Sequence, residues 1–183
     1  MDGVDWMIVA EVVPVTAGVA IIGALGALPP EALLLALARN GAILGFAPFN
    51  RPVARLFMGD MGNLPIEVLL AWLLILVASS EHLVAAVLLP LYFLADASVT
   101  LLRRARAGEK LWMAHRTYYY QRARYNGLTN IEIVRRVFLV NVGLVVLAAL
   151  SVVDVTSWSS AAALLIGVGL VAWLLDSFVR VRR

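Results

Sequence analysis

FNRPVARLFMGDMGN, residues 49–63, is a polar, glycine-punctuated stretch between two long apolar runs of the chain. Its one acid, Asp60, has sterically open neighbours, and Gly59 and Gly62 can adopt positive φ, so that backbone N–H groups can approach an anion closely. Because two arginines also lie in this stretch, the carboxylate suits a magnesium-bridged phosphate or diphosphate. The alternative is a connecting turn in which Asp60 caps the next helix, and the residue chemistry leaves both interpretations open.

The composition around this stretch places the chain in a membrane. Hydrophobic residues make up 62% of the 183 residues, charged residues only 15%, and the mean hydropathy is +0.90. A soluble domain of this length is far more polar, so we expect an integral membrane protein. The chain has no cysteine, which excludes disulfides and thiolate metal sites.

The apolar residues fall into about six segments, and a helix of about 20 residues crosses a bilayer core of about 30 Å. We therefore predict an all-α, polytopic membrane bundle that forms one domain over residues 1–183. The second segment carries Arg39 and Asn40, and since Arg39 would be costly in lipid, we expect it to face the bundle interior. The predicted spans are Trp6–Gly26, Glu31–Phe46, Leu64–Ser79, Leu83–Leu102, Val134–Val152 and Trp158–Val179.

The connections between these spans alternate in charge. Arginines and the lysine cluster in the 49–63 stretch, in residues 103–133 and at the end of the chain, whereas the other connections contain no Lys or Arg. The positive-inside rule then predicts that both termini, the 49–63 stretch and a basic loop at 103–133 are cytoplasmic. Five polar residues would share that side and could form a carboxylate cluster there: Asp2, Asp5, Asp60, Asp96 and His115.

Two of these predictions carry alternatives. Asp96 lies inside the fourth span and either belongs to the cluster or pairs with Arg103 or Arg104. The sequence of the basic loop predicts a helix from Lys110 to Tyr125, followed by a turn and a capping box over residues 129–132. Its interleaved arginines and tyrosines favour an interfacial helix on lipid phosphates, and because the loop is tethered at both ends we expect no nucleic acid partner.

Three segments resemble one enzyme family. They are FNxPxAxxFMGDxG at 49–62, MDGVD at 1–5 and AHRTYYYQR at 114–122. Together they are similar to motifs of the bacterial polyprenyl-phosphate sugar-1-phosphate transferases, glycosyl transferase family 4, which includes the phospho-N-acetylmuramoyl-pentapeptide and N-acetylglucosamine-1-phosphate transferases. The resemblance extends from Met1 to about Val152.

The resemblance implies a reaction and roles for individual residues. Members transfer a sugar 1-phosphate from a UDP-sugar to a polyprenyl phosphate such as undecaprenyl phosphate, release UMP and need Mg²⁺. They act at the cytoplasmic face of the bacterial inner membrane in peptidoglycan or lipopolysaccharide synthesis. Carried over by position, the catalytic residues would be Asp60, which also binds the metal, Asp5 and Asp2; the substrate-binding residues would be Asn50, Gly59, Gly62, His115, Arg116 and Arg122.

Departures from the family qualify this expectation. Members have about twice as many residues, including an Asp-Asp motif, so the chain looks like the carboxy-terminal half of a transferase. A homodimer or a separate amino-terminal half is therefore an expected partner. Tyr118 stands where a second histidine is usual and Asn63 where serine is usual. A non-catalytic membrane assembly segment or remnant remains an alternative. Within the spans, Pro14, Pro90 and Asp96 suggest, more weakly, a transporter.

Overall fold

The computed structural model describes residues 4–113, 117–153 and 157–180, and of Asp60 and Ser157 it describes the backbone alone. The regular structure in these ranges is entirely helical, which confirms the predicted fold class. The helices are α1 Met7–Ala24, α2 Pro30–Phe46, α3 Gly59–Ser79, α4 Leu83–Leu88, α5 Leu91–Arg106, α6 Tyr119–Tyr125, α7 Asn130–Val153 and α8 Ser157–Val179.

Four of the described helices are long and apolar enough to cross a membrane. They are α1, residues 61–79 of α3, α7 and residues 158–179 of α8. With 17 residues, α2 falls just short of that length, and the predicted fourth crossing is divided between α4 and α5. The polytopic helical bundle is therefore confirmed, while six crossings remains a prediction.

The bundle is built around α1, which packs between α2 and α7. The amide nitrogen of Asn141 on α7 donates to the Ala10 carbonyl and to Glu11 Oε2 on α1, each at 3.0 Å. Further along, a Cβ on Gly18 would lie 2.4 Å from Leu89 and 3.2 Å from Val145, so the absence of a side chain makes room for Leu89 and lets α7 approach α1 closely. Because both contacts advance together along the two chains, α1 and α7 run in the same direction.

Arg39 of α2 lies inside the bundle as expected. Arg39 is 6% exposed, and its Nη2 donates to the Ile66 carbonyl on α3. The Asn40 amide donates to the Val13 carbonyl and to Thr16 Oγ1 on α1, both at 2.8 Å. These side chains join α2 to its two neighbours, so the short second span is held by polar contacts as well as by apolar packing.

Three predicted boundaries are wrong. The span 83–102 is broken at Pro90, because proline lacks an N–H and its ring clashes with the preceding turn. The third helix begins at Gly59, five residues before the predicted start, so Asp60 belongs to a helix end and not to a loop. Among the described residues of the helix predicted from Lys110 to Tyr125, those from Tyr119 onward are helical, and the predicted turn and capping box follow them.

Candidate functional site

Asn50 joins the segment before α1 to the stretch that contains Asp60. Its Oδ1 accepts the Trp6 backbone N–H at 2.9 Å, and its Nδ2 donates to the Leu56 carbonyl at 3.0 Å. Trp6 adds a second link, since its indole Nε1 donates to the Ala47 carbonyl at 2.7 Å. Asn50 is 6% exposed, so this amide is a buried cross-brace between two segments that lie more than forty residues apart.

Asp5 lies directly beside this brace. It precedes Trp6, whose backbone has φ of 66°, a conformation that side-chain-bearing residues seldom adopt. The two hydrogen bonds of Trp6 hold the chain in this conformation, and strained backbone of this kind concentrates at functional sites. Asp5 is half-buried and makes no hydrogen bond or ion pair with the other described residues. Asp2 lies outside the described residues.

The start of α3 differs from expectation at one of its two glycines. Gly59 has φ of 62°, as predicted, but Gly62 is part of the helix. A Cβ at Gly62 would lie 2.6 Å from Met58 Sδ, so its role is to make room for Met58 and not to turn the backbone. Met58 in turn packs against a small apolar cluster formed by Ile8, Val12 and Ile43. The segment before Asp60 is thereby fixed to the first turns of α1.

Asp60 is the second residue of α3, and the N-cap position belongs to Met58, which makes no side-chain cap. Asp60 therefore does not occupy the N-cap position of α3. Carboxylates are nonetheless favourable in the first turn of a helix, where backbone N–H groups carry partial positive charge. The side chain of Asp60 lies outside the described residues.

The ends of three helices meet at one end of the bundle. A groove of about 360 Å³ lies between the start of α1, the end of α2 and the start of α7. The groove lies between Trp6 and Ala47 on one side and α7, the helix that follows the basic loop, on the other. The charge pattern predicts the same proximity, since it assigns the 49–63 stretch and the basic loop to one side of the membrane. The lining of the groove is apolar apart from one arginine and consists of Trp6, Val9, Ala10, Ala47, Ile131, Val134, Arg135 and Phe138.

The alternative in which Asp96 pairs with Arg103 or Arg104 is wrong, since neither forms an ion pair with it. Asp96 lies on the buried face of α5, and Arg104 is eight residues further on, about 12 Å along the helix axis. Arg104 reaches instead to Glu109, with Nε 2.7 Å from Oε2. Asp96 Oδ1 accepts the Tyr119 backbone N–H at 2.9 Å, so its partner is the basic loop itself.

Arginines of the basic loop region gather around Tyr119. The guanidinium carbon of Arg122 lies 5.8 Å from the Tyr119 ring centroid and that of Arg103 lies 5.7 Å from it. His115 and Arg116 lie outside the described residues. Arg103 was not among the predicted site residues; it lies beside the buried stripe of α5, which ends at Arg104.

The groups available for a metal are hard oxygen donors. Within the described ranges no group of three or more His, Cys, Asp or Glu side chains lies together. Asp5 has a carboxylate without another partner in those ranges, and the chain contains no thiol. Such donors suit Mg²⁺ better than Zn²⁺, since Mg²⁺ takes few protein carboxylates and completes its shell with water and phosphate oxygens.

Comparison with known proteins places the similarity in the first part of the chain. The family model described as "Glycosyl transferase family 4" matches residues 1–78, which include α1, α2 and most of α3. No solved structure matches the chain.

Curated relatives match a shorter segment. The phospho-N-acetylmuramoyl-pentapeptide-transferase of Limosilactobacillus reuteri (strain DSM 20016) is 52% identical over 42 residues, which is 23% of this chain and 13% of the relative. The enzyme of the same name from Limosilactobacillus fermentum (strain NBRC 3956 / LMG 18251) is 51% identical over 41 residues, 22% of this chain and 13% of the relative. The matched segment thus spans a small part of each relative's length.

Proposed function

We propose that this chain, whose residues 1–78 match the glycosyl transferase family 4 model, takes part in transferring a sugar 1-phosphate from a UDP-sugar to a polyprenyl phosphate, with release of UMP. The observation that carries the proposal is the Asn50 brace, which holds the segment after Asp5 against the segment that leads to Asp60. Two motifs that are distant in sequence are thereby brought to one end of a membrane bundle, where a water-soluble and a lipid substrate could meet.

The chain's own residues would bind and orient the substrates. Asp60, with Asp5 and Asp2, would hold Mg²⁺, which neutralises diphosphate charge when bound. Asn50 keeps the backbone of the site rigid, and Gly59 allows close approach to a phosphate group. Because attack by a phosphate on a diphosphate needs charge stabilisation and alignment more than it needs a strong base, such positioning is the main contribution expected of the protein.

The proposal also includes a location and a pathway. The site would face the cytoplasm, where UDP-sugars are available, and the protein would reside in the bacterial inner membrane. The names of the relatives point to peptidoglycan synthesis, while the similarity of residues 114–122 to the basic loop of polysaccharide-forming members points to lipopolysaccharide. In both pathways the acceptor is a polyprenyl phosphate.

The experiment is UMP release by membranes that contain the full chain, supplied with UDP-N-acetylglucosamine or UDP-N-acetylmuramoyl-pentapeptide, undecaprenyl phosphate and Mg²⁺. Asp60→Asn should reduce UMP release by about 10²-fold or more, because one preorganised charge contact is worth that much. Glu81→Gln, at the turn between α3 and α4, is the matched control and should leave the rate unchanged. Equal rates in the Asp60→Asn variant and the parent would contradict the proposal.

A second candidate function is assembly with another membrane protein without catalysis. Its supporting observation is α3, of which only 11% of the membrane-crossing window is buried inside the chain. Val68, Trp72 and Ile75 leave an apolar face that suits lipid or a partner helix. No UMP release with either nucleotide sugar, together with recovery of a stable complex with a second membrane protein, would favour this function.

A further inference from the structure

Glu67 is an acid on the outer face of a helix that is apolar enough to cross a membrane. The crossing segment of α3, residues 61–79, has 19 residues and is therefore about 28 Å long, close to the thickness of a bilayer core. Glu67 lies about 9 Å along the axis from Met61, the first residue of this segment. Its side chain is exposed and makes no hydrogen bond or ion pair with the described residues. Because an acid that faces lipid is costly, Glu67 needs a partner that the described part of the chain does not provide.

A second acid lines the same cavity as Glu67. The cavity has a volume of about 40 Å³ and lies between α1, α3 and the break that separates α4 from α5. Among the described residues, only Glu11 of α1 and Asn63 and Glu67 of α3 bring polar side chains to its wall. Glu11 is 1% exposed whereas Glu67 is exposed, so the cavity leads from the surface of α3 to a buried carboxyl group.

One oxygen of Glu11 has no partner. Oε2 accepts the Asn141 amide at 3.0 Å, but Oε1 is buried and has no hydrogen-bond partner among the described residues. The buried arginine of α2, Arg39, donates to the carbonyl of Ile66 in the cavity wall. No ion pair joins Arg39 to Glu11 or Glu67, all three of which are described. A carboxyl oxygen withdrawn from water needs a donor, and the cavity beside Glu11 leaves space for one.

The size and lining of the cavity select the kind of donor. A volume of about 40 Å³ accommodates about three water-sized groups, so a nucleotide, a sugar or a lipid tail is too large. A metal ion such as Mg²⁺ keeps several water molecules and needs about six oxygen ligands, which mostly apolar walls do not provide. The last methylene and the ammonium group of a lysine have a suitable size. The methylene suits the apolar walls, and the three N–H donors suit two carboxyl groups.

We propose that the cavity receives a lysine side chain from a transmembrane helix of a partner protein, which packs against α3 and pairs with Glu67 at the rim and with Glu11 at the base. Opposite charges inside a membrane pair with one another because each is costly alone. Only 11% of the membrane-crossing window of α3 is buried inside the chain, so a partner helix has room to lie against it. The ammonium groups of phospholipids lie in the head-group layer, outside the apolar core in which the position of Glu67 places it.

The test uses a designed transmembrane peptide of leucine and alanine that carries one lysine about 9 Å inside one end of its apolar segment. The full chain, labelled at Ala107→Cys, is placed with the labelled peptide in phosphatidylcholine vesicles, and energy transfer between the two labels measures their association. The lysine peptide should bind at least about 10-fold more tightly than a peptide with leucine at the same position, because only lysine offers the two acids a positive charge. Equal binding of the two peptides would overturn the proposal.

Substitutions in the chain test which residues make the contact. Glu67→Gln should remove the preference for the lysine peptide over the leucine peptide. Glu11→Gln keeps an acceptor for the Asn141 amide but removes the charge at the base, so it should weaken the preference several-fold. Glu81→Gln removes the same charge from the turn between α3 and α4, outside the cavity, and should leave the preference unchanged. A preference that survives Glu67→Gln would contradict the proposal.

A change of lipid separates a partner helix from a lipid as the source of the ammonium group. When phosphatidylethanolamine replaces phosphatidylcholine, the preference for the lysine peptide should persist. If the preference disappears in phosphatidylethanolamine, the lipid ammonium group occupies the cavity and the partner helix is overturned. The association assay contains no nucleotide sugar, so its outcome is independent of UMP release and of the proposed transferase function.

Discussion

Two side chains of this protein, Asn50 and Asp96, pair backbone groups of segments that are distant in sequence. Asn50 uses the oxygen and the nitrogen of one amide to hold two segments, and both partners are backbone groups that have no helical partner. Asp96 does the same for the first turn of α6. Backbone groups withdrawn from water must be paired, so residues that pair them at a helix end determine the local path of the chain.

The Asn50→Leu substitution tests whether the hydrogen bonds of Asn50 stabilise the fold. Leucine has a similar volume but leaves the Trp6 N–H and the Leu56 carbonyl without partners, and an unpaired buried polar group costs about 1–3 kcal/mol. We expect the free energy of unfolding in mixed micelles to fall by at least about 2 kcal/mol. Asn63→Leu is the control, because Asn63 makes no hydrogen bond with the described residues, and it should change stability by less than about 0.5 kcal/mol. Equal effects of the two substitutions on the free energy of unfolding would show that the hydrogen bonds of Asn50 do not stabilise the fold.

The helices differ in how their ends are determined. The start of α7 follows from local sequence, since Glu132 Oε2 accepts from the backbone N–H and the hydroxyl of Thr129, each at 2.9 Å. The Thr129 hydroxyl in turn accepts the Glu132 N–H at 3.3 Å, which completes a capping box. The break between α4 and α5 is equally local, because Pro90 cannot continue a helix. By contrast, α6 depends on a distant acceptor.

The Thr129→Ala substitution tests the capping box at the start of α7. It should lower the free energy of unfolding by about 1 kcal/mol, because it removes a capping box at an exposed helix start. Thr129→Ser retains the hydroxyl and should cost only a few tenths of that. Chemical unfolding of the three proteins in the same micelles measures both values, and a serine variant as unstable as the alanine variant would show that the methyl group, and not the cap, matters.

The whole molecule is a helical bundle in which the Asn50 brace and the start of α7 lie at the same end. The start of α1, the end of α2 and the start of α7 line a common groove there, and the end of α8 is joined to the loop because the Asn126 amide donates to the Phe178 carbonyl at 2.8 Å. The turn between α3 and α4, which carries no Lys or Arg, belongs to the opposite side in the predicted topology.

Orientation in the membrane is the prediction at this scale. The chain has no cysteine, so single cysteines report their own position only. Arg55→Cys and Ala107→Cys should react with a membrane-impermeant maleimide in inside-out vesicles, and Ser79→Cys should react only in right-side-out vesicles. Reaction of all three from the same side would contradict the topology and, with it, the shared cytoplasmic site.

Much of the fold follows from local patterns. The length and spacing of the apolar runs predict the helices, and the capping box and the turn at Asn126-Gly127 are confirmed at the predicted positions. Arg39 is inside the bundle because a guanidinium group in lipid is too costly, a rule that needs no coordinates. The misplaced boundaries at Gly59 and Tyr119 lie where tertiary contacts determine the ends of the helices.

The sequence by itself determined the membrane class, the helical architecture and the similarity of residues 1–78 to glycosyl transferase family 4, because hydropathy and short motifs are local properties of the chain. Only the tertiary structure decided that Asn50 braces Trp6 and that Asp96 serves Tyr119 and not Arg104. The physical reason is that a buried polar group takes the nearest unpaired donor in space, and which donor is nearest depends on how the helices pack.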